Sequence, residues 1–183
     1  MKKEVMIRRV TEEGLEDILK VEKAAFKEEA EVIVKLVKDL LEDTSAQPIL
    51  SLLALDEDKP AGHILFTSVH LECHDDVDAM LLAPLAVAPE MQKQGVGGLL
   101  ILEGLRILKE RGVELVFVLG YPDYYTRHGF APAFPHGYTA PYPIPEENHD
   151  AWMIQELSPG AVKRYEGKII CAEKLDKPKY WRE

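Results

Sequence analysis

The 183-residue chain predicts an α/β protein built on a mixed sheet with flanking helices. Three observations carry that expectation. Apolar residues recur at helical spacing through residues 12–42, then give way to continuous apolar runs from residue 49 onward. A long amphipathic stretch at residues 95–111 lies between two apolar runs, and strand, helix, strand in that order makes a parallel crossover. No repeat, low-complexity tract or linker divides the chain, so residues 1–183 read as one domain.

Residues 5–10 read as a short strand. Thr11 is placed to cap a first helix, with Glu12 and Glu13 in its first turn, where negative charge suits the helix dipole. Leu15, Ile18, Leu19, Ala25 and Phe26 share one face of that helix, and Glu22 falls on the same apolar side. A second helix over residues 29–42 carries Ile33, Leu36, Val37, Leu40 and Leu41 at helical spacing. Residues 49–55 and 61–72 form a hairpin across the polar turn Asp56-Glu57-Asp58-Lys59-Pro60. An acidic turn at residues 73–78 leads into a third strand over residues 77–87. Pro84 predicts a bulge or splay there, because proline cannot donate to a sheet ladder. The helix of residues 95–111 buries Val96, Leu100, Ile101, Leu105, Ile107 and Leu108, with Arg106, Lys109 and Glu110 opposite. Residues 113–119 are apolar at six of seven positions, as in a strand covered on both faces. A short helix at residues 122–128 has proline in its first turn and Gly129 just past its end. Five prolines make residues 131–145 irregular, and residues 151–157 and 167–175 read as closing strands.

A formal net charge of −10 argues against nucleic acid, whose phosphates reward clustered Lys and Arg. It favours a cationic acceptor only through long-range attraction. The first ten residues lack the apolar run of an export signal, and no segment approaches the ~20 apolar residues of a membrane span. Cys73 and Cys171 make no metal or redox spacing and read as reduced thiols of a cytoplasmic protein.

The chemistry concentrates between Leu82 and Leu100. A strand runs into a loop with the pattern Gln92-x-x-Gly95-x-Gly97, and the loop runs into a helix. Backbone N–H groups at such a junction, with the partial positive charge of the helix start, make an anion site suited to a pyrophosphate. Glycines let the backbone approach the phosphate oxygens closely. The alternative is a helix that begins with glycines only for tight packing. A dinucleotide fingerprint fails because Leu100 stands where its last glycine belongs, and no Gly-Lys-Ser/Thr follows to make an NTPase loop.

The run Ala86-Val87-x-Pro89-Glu90-x-Gln92-x-x-Gly95-Val96-Gly97 resembles motif A of the GNAT N-acetyltransferase superfamily. Three further phrases are similar to its YhbS-like branch: Gly62-His63-Ile64-Leu65-Phe66, Leu82-Ala83-Pro84-Leu85-Ala86-Val87, and Leu119-Gly120 through Tyr124-Tyr125 to Gly129-Phe130. The resemblance implies a mostly antiparallel sheet with a central, splayed parallel pair. It implies acetyl-CoA as cosubstrate, no metal, an amine acceptor and, as often in the family, a homodimer. The pantetheine arm would lie along Leu85, Ala86 and Val87 like an added strand. The pyrophosphate would sit over the amides of Gln92, Lys93, Gln94, Gly95, Val96, Gly97 and Gly98. A freed amide, of Leu85 or Ala86, would stabilise the oxyanion at the thioester carbonyl. Tyr125-x-x-x-Gly129-Phe130 matches the signature whose tyrosine protonates the departing thiolate while the amine attacks directly. A phenol near pKa ~10 facing a thiol near ~8.5 makes that transfer only modestly uphill. Tyr125 can instead be an amphipathic wall of the cofactor tunnel. Tyr124 points about 100° away on the same helix and ranks second.

The base is less defined. Glu22 is a carboxylate on an apolar helix face, where desolvation raises a pKa; it can equally be an edge residue paired with a lysine. His63 can be a pocket base or a hydrogen-bonded core histidine, and a water chain can do the same work. Residues 70–76, rich in His, Cys and Asp, match no metal spacing and read as an acidic hairpin tip. Residues 134–145 can be an acceptor-side wall or a rigid surface connection. Arg127 can meet a cofactor phosphate or serve the helix dipole. The rival functional classes are an acyl-CoA-binding sensor without turnover and a metal-dependent hydrolase. No constellation in the sequence identifies the acceptor.

Overall fold

The apolar runs become nine strands in a computed structural model that describes residues 4–10 and 12–182. They are β1 (Met6–Arg9), β2 (Leu50–Asp56), β3 (Lys59–Leu71), β4 (His74–Val87), β5 (Leu115–Leu119), β6 (Ala131–Pro132), β7 (Tyr138–Thr139), β8 (Trp152–Glu156) and β9 (Gly167–Ile170). The helices are α1 (Leu15–Phe26), α2 (Ala30–Glu42), α3 (Val96–Glu110), α4 (Pro122–Tyr125) and α5 (Ala161–Arg164). Thr11, the expected cap of the first helix, lies outside the described residues. Glu12 and Glu13 form a single 3-10 turn ahead of α1, whose own first turn carries Glu16 and Asp17.

The sheet order is β1-β2-β3-β4-β5-β8-β6, antiparallel along this path except for the parallel pair β4–β5 at its centre. β9 pairs antiparallel with the end of β3, and β7 runs parallel to β9. The expected mixed sheet with a central parallel pair is therefore present.

The boundaries that differ most from the sequence reading do so for local reasons. The first turn is only Glu57-Asp58, both left-handed at φ 48° and 68°; a register shift opposite Ala54 and Leu55 admits Lys59 and Pro60 into β3. The residues read as an acidic turn at 73–78 belong mostly to β4: the chain reverses at Glu72-Cys73, with Cys73 at φ 69°, and Asp75, Asp76 and Asp78 sit on exposed strand positions around buried Val77. The last strand stops at Ile170 rather than 175. Beyond it the Glu173 and Lys174 amides donate to Ser45 Oγ (2.9 Å) and Asp43 Oδ2 (3.2 Å), which turns the chain away from the sheet.

Both faces of the sheet are covered. On one side α3 lays Val96, Leu100, Ile101, Leu105 and Leu108 onto Leu50, Leu52, Ile64, Phe66, Met80 and Leu82. Gly104 brings the helix down onto Phe66: a Cβ there would meet the ring's Cζ at 2.7 Å. On the other side α1 packs Ile18 and Val21 against Leu53, Leu55 and Ala86, and α2 with the C-terminal segment covers Leu65, Leu81, Phe117 and Trp152. Val21 belongs to that buried face beside Ile18, whereas Leu15, Leu19, Ala25 and Phe26 are only half-buried.

Candidate active site

β4 keeps β3 as a neighbour to its end, with His63 opposite Ala86 and Gly62 opposite Val87. Its pairing to β5 runs only from Ala79–Leu115 to Leu82–Val118. Between Phe66–Leu82 and Ile64–Leu85, β4 carries one residue more than β3; this extra residue is the bulge expected at Pro84, and the Ala83–Pro84 peptide is cis. The strands part at that point, so Ala83 to Val87 have one paired edge and one open edge. An open edge of this kind can accept an extended ligand as an added strand.

The loop that follows is built to present amides. A 3-10 turn (Pro89–Met91) ends at Gln92, Lys93 is left-handed at φ 64°, and Gly95 takes φ 83° as the residue before α3. The first bond of the helix runs from the Leu99 amide to the Gly95 carbonyl (3.1 Å), and no side chain caps its start. Gln92 Nε2 donates to the Val87 carbonyl (3.2 Å), tying the loop to the strand end, and Gln94 Nε2 donates to the Glu90 carbonyl (3.0 Å). The glutamine of the motif is thus a loop brace, while the amides from Lys93 to Gly98 form the anion-competent surface. Aromatic approach explains two of the glycines. A Cβ at Gly97 would collide with the Tyr124 hydroxyl, and one at Gly98 would meet His128 Cε1 at 2.9 Å.

The two tyrosines diverge as helical geometry requires. Tyr125 is buried against Gly120 and Phe130, 9% exposed, with its ring edge-on to Phe130 at 5.8 Å. Burial, with a smaller push from Tyr124, holds its phenol well above the ordinary value, so proton donation to a thiolate is more uphill than free-solution values imply. Tyr124 is half-buried, and its hydroxyl lies over Gly97, next to Leu85. Its pKa is also raised by burial, partly offset by Arg127. Arg127 donates from Nε to the Asp123 carbonyl (2.9 Å) and, with Gly95, Gly98 and His128, lines one end of a groove of about 620 Å³ that runs along α3 as far as Lys109, with Gln155 and Glu156 on its other side.

Glu22 and His63, separate candidates in the sequence, form one chain with Ser51. Glu22 Oε1 lies 2.7 Å from His63 Nδ1, and His63 Nε2 lies 2.8 Å from Ser51 Oγ. With Nδ1 protonated, the imidazole donates to Glu22 and accepts from Ser51. Desolvation raises the Glu22 pKa, and His63 pulls it partly back. The layout is that of a nucleophile, base and orienting acid, but Glu22 and His63 are 0% exposed and Ser51 is 5% exposed, which seals it from any substrate. It ties α1 to β2 and β3 directly behind Ala86. Ser51 was missed because one serine in an apolar strand carries no motif; its polarity between Leu50 and Leu52 was the only signal.

A second cavity, of about 450 Å³, opens at the fork on the α2 side. Leu81, Leu82 and Ala83 of β4 and Leu119 of β5 meet Glu29, Val32 and Ile33 from the α1–α2 region, and residues 175–182 supply much of the wall. The proline-rich residues 134–145 do not line it. They are held elsewhere: Tyr138 and Tyr142 donate from their hydroxyls to the Val162 (2.8 Å) and Asp176 (3.2 Å) carbonyls, and Phe134 stacks on His149 at 4.3 Å. Residues 70–76 are spread along two strands, with His74 edge-on to Tyr165. Among the described residues no three His, Cys, Asp or Glu side chains gather to hold a metal. No helix among them is long and apolar enough to cross a membrane.

Residues 6–133 match the family model described as an acetyltransferase (GNAT) domain. The chain is 50% identical over 159 residues to the uncharacterized N-acetyltransferase YjhQ of Escherichia coli, covering 86% of each protein. Its fold is similar to that of the Escherichia coli GNAT family N-acetyltransferase YhbS, solved in complex with CoA (TM-score 0.85, 28% identity, 94% of this chain and 92% of that one). It is also similar to a Brucella melitensis GNAT family acetyltransferase solved with acetyl-CoA (TM-score 0.75, 25% identity, 95% and 99%). A fork between two parallel strands, an amide-lined loop into a long helix, and this degree of likeness to YjhQ lead to one conclusion: the chain belongs to the GNAT acetyltransferase family.

Proposed function

We propose that residues 1–183 act as one catalytic domain that transfers the acetyl group of acetyl-CoA to an amine by direct attack in a ternary complex. The observation that carries this reading is the junction of β4 and α3. There an open strand edge at Leu85, Ala86 and Val87 leads straight into the amides of Lys93 to Gly98; the Gln92 amide, expected to join them, donates instead to the Pro89 carbonyl (3.4 Å). The diphosphate lies over those amides, with Arg127 and the groove beside Gly95 and Gly98 taking the nucleotide end. The pantetheine pairs along the open edge and brings the thioester towards the fork, where the Leu85 amide serves the oxyanion. The amine enters from the opposite side, through the cavity at Ala83 and Leu119. Its nitrogen attacks the carbonyl carbon, the C–S bond breaks, and the departing sulfur takes a proton from Tyr125 as charge develops. Glu22 takes no direct part because it is sealed behind Ala86, so the amine's proton leaves through the cavity.

CoA release from the wild type and Tyr125→Phe, over a panel of amines, tests the proposal. Loss of the acid is expected to lower kcat by about 10²–10⁴-fold while CoA affinity by calorimetry persists. The position of the Tyr124 hydroxyl above Gly97 favours a second reading, in which Tyr124 is the donor; that reading gains if Tyr124→Phe carries the loss instead. A protein that binds CoA but accepts no amine is the acyl-CoA sensor.

A further inference from the structure

The cavity on the α2 side of the fork has a composition that the chain as a whole does not predict. Against a net charge of −10, its polar rim carries, among the described residues, one carboxylate, Glu29, and two cations, Lys179 and Arg182. All three are exposed, and none has an ion-pair partner among the described residues. The Lys179 ammonium rests over the Tyr180 ring at 5.1 Å. The walls between the charges are apolar: Val32 and Ile33 from α2, Leu119 at the end of β5, and Trp181 from the C-terminal segment. A neighbouring groove shares Val32, Lys179 and Tyr180 and adds Lys35, Lys174 and Lys177; of its carboxylates, Asp39 is paired with Lys35 at 2.7 Å, and Glu31 stands with Glu29 on the α2 side.

We infer that the acceptor is a free α-amino acid, or a very short peptide, with an apolar side chain and an unblocked carboxylate. This rests on the acetyl-transfer reading above and names the substrate class of the same site. Glu29 attracts the ammonium, and Lys179 and Arg182 hold the carboxylate, the guanidinium through paired N–H donors that match a carboxylate's geometry. The apolar walls take the side chain. A volume of about 450 Å³ is that of a small-molecule site. A polyamine, which the acidity of the chain alone would favour, meets two cations and one carboxylate here and is disfavoured. A protein N-terminus lacks the nearby carboxylate that the two cations read. In the transfer, the ammonium first releases a proton, the free amine then forms the amide bond, and CoA leaves as the thiol.

Two readouts on the intact chain test the inference. Ligand-observed NMR with L-leucine, L-leucinamide and spermidine reports binding without turnover. Leucine is expected to bind at least about tenfold more tightly than its amide, and Lys179→Ala/Arg182→Ala is expected to erase that preference. CoA release over the same compounds is expected to show the same order, with the double variant raising KM for leucine while CoA affinity stays at the wild-type value. Equal or tighter binding of leucinamide or spermidine, no binding of leucine, or a preference that survives the double substitution overturns the inference. Failure of the transfer reading looks different: leucine binds with the expected preference, but CoA is not bound or no acetyl group moves.

Discussion

The two faces of the central sheet are closed by opposite means. Against α3, atoms are left out: Gly62 and Gly104 let helix and strand touch, and Gly97 and Gly98 admit Tyr124 and His128 over the helix start. Against α1 and α2, polar groups are put in: Glu22, His63 and Ser51 are buried together, and Glu22 Oε2 has no hydrogen-bond partner among the described residues. The first solution fixes backbone position through sterics. The second fixes it through a few directional contacts, which cost more if one member is lost. The difference suits the proposed division of labour, with a rigid cradle for diphosphate on one side and a cavity walled by helix ends and the C-terminal segment on the other.

The largest expected effect comes from cutting the polar tie. Glu22→Ala leaves the buried His63 Nδ1–H without its acceptor, opens a cavity behind Ala86, and should lower unfolding free energy by about 2–4 kcal/mol, read from denaturant midpoints. Glu22→Gln keeps a hydrogen-bonding group, so the loss should be smaller and turnover should persist. A fall in kcat of about 10²-fold or more in this variant would instead make Glu22 the base and break the contrast between a structural and a chemical face. On the steric face, Gly104→Ala should gain helix propensity but overpack Phe66, for a loss of about 1–3 kcal/mol. Trimming the ring with Phe66→Leu in the same chain should recover part of it, and strictly additive losses would show that the close approach is not the cause. The smallest effect concerns Cys171, where burial and then the Asp176 carboxylate push the thiol up to about 12. Its thiolate is therefore scarce at pH 8, about one in 10⁴, and grows as pH rises towards that value. A thiol reagent should modify exposed Cys73 first and Cys171 slowly; equal rates would mean that this side of the molecule opens readily.

What the sequence revealed followed from period and punctuation. The α3 stripe from Val96 to Leu108, the crossover strand read over residues 113–119 and the interruption at Pro84 are all local patterns, and each is present, the strand starting two residues later at Leu115. The loop was legible because three features coincide within six residues: Gln92, Gly95 and Gly97. What escaped is long-range. Nothing in the spacing of Ser51, Glu22 and His63 says that three separate elements meet, since the contact exists only after α1 docks. The cavity wall from residues 175–182 was hidden for the same reason, because short turns with scattered lysines give no periodic signal. The start of β4 was hidden by charge: three aspartates within residues 73–78 read as a turn, although exposed strand positions around buried Val77 accept them.

The tight reversal between β2 and β3 has a practical consequence. Glu57 and Asp58 both occupy the left-handed region, where residues with a Cβ are strained and Asn-Gly is at home. Replacing that pair with Asn and Gly should relieve the strain and raise the thermal midpoint. The next residue, Lys59, pairs with Glu90 (3.4 Å) in the turn that opens the amide loop, so a stiffer reversal also steadies the base of that loop, and CoA affinity should be measured beside stability.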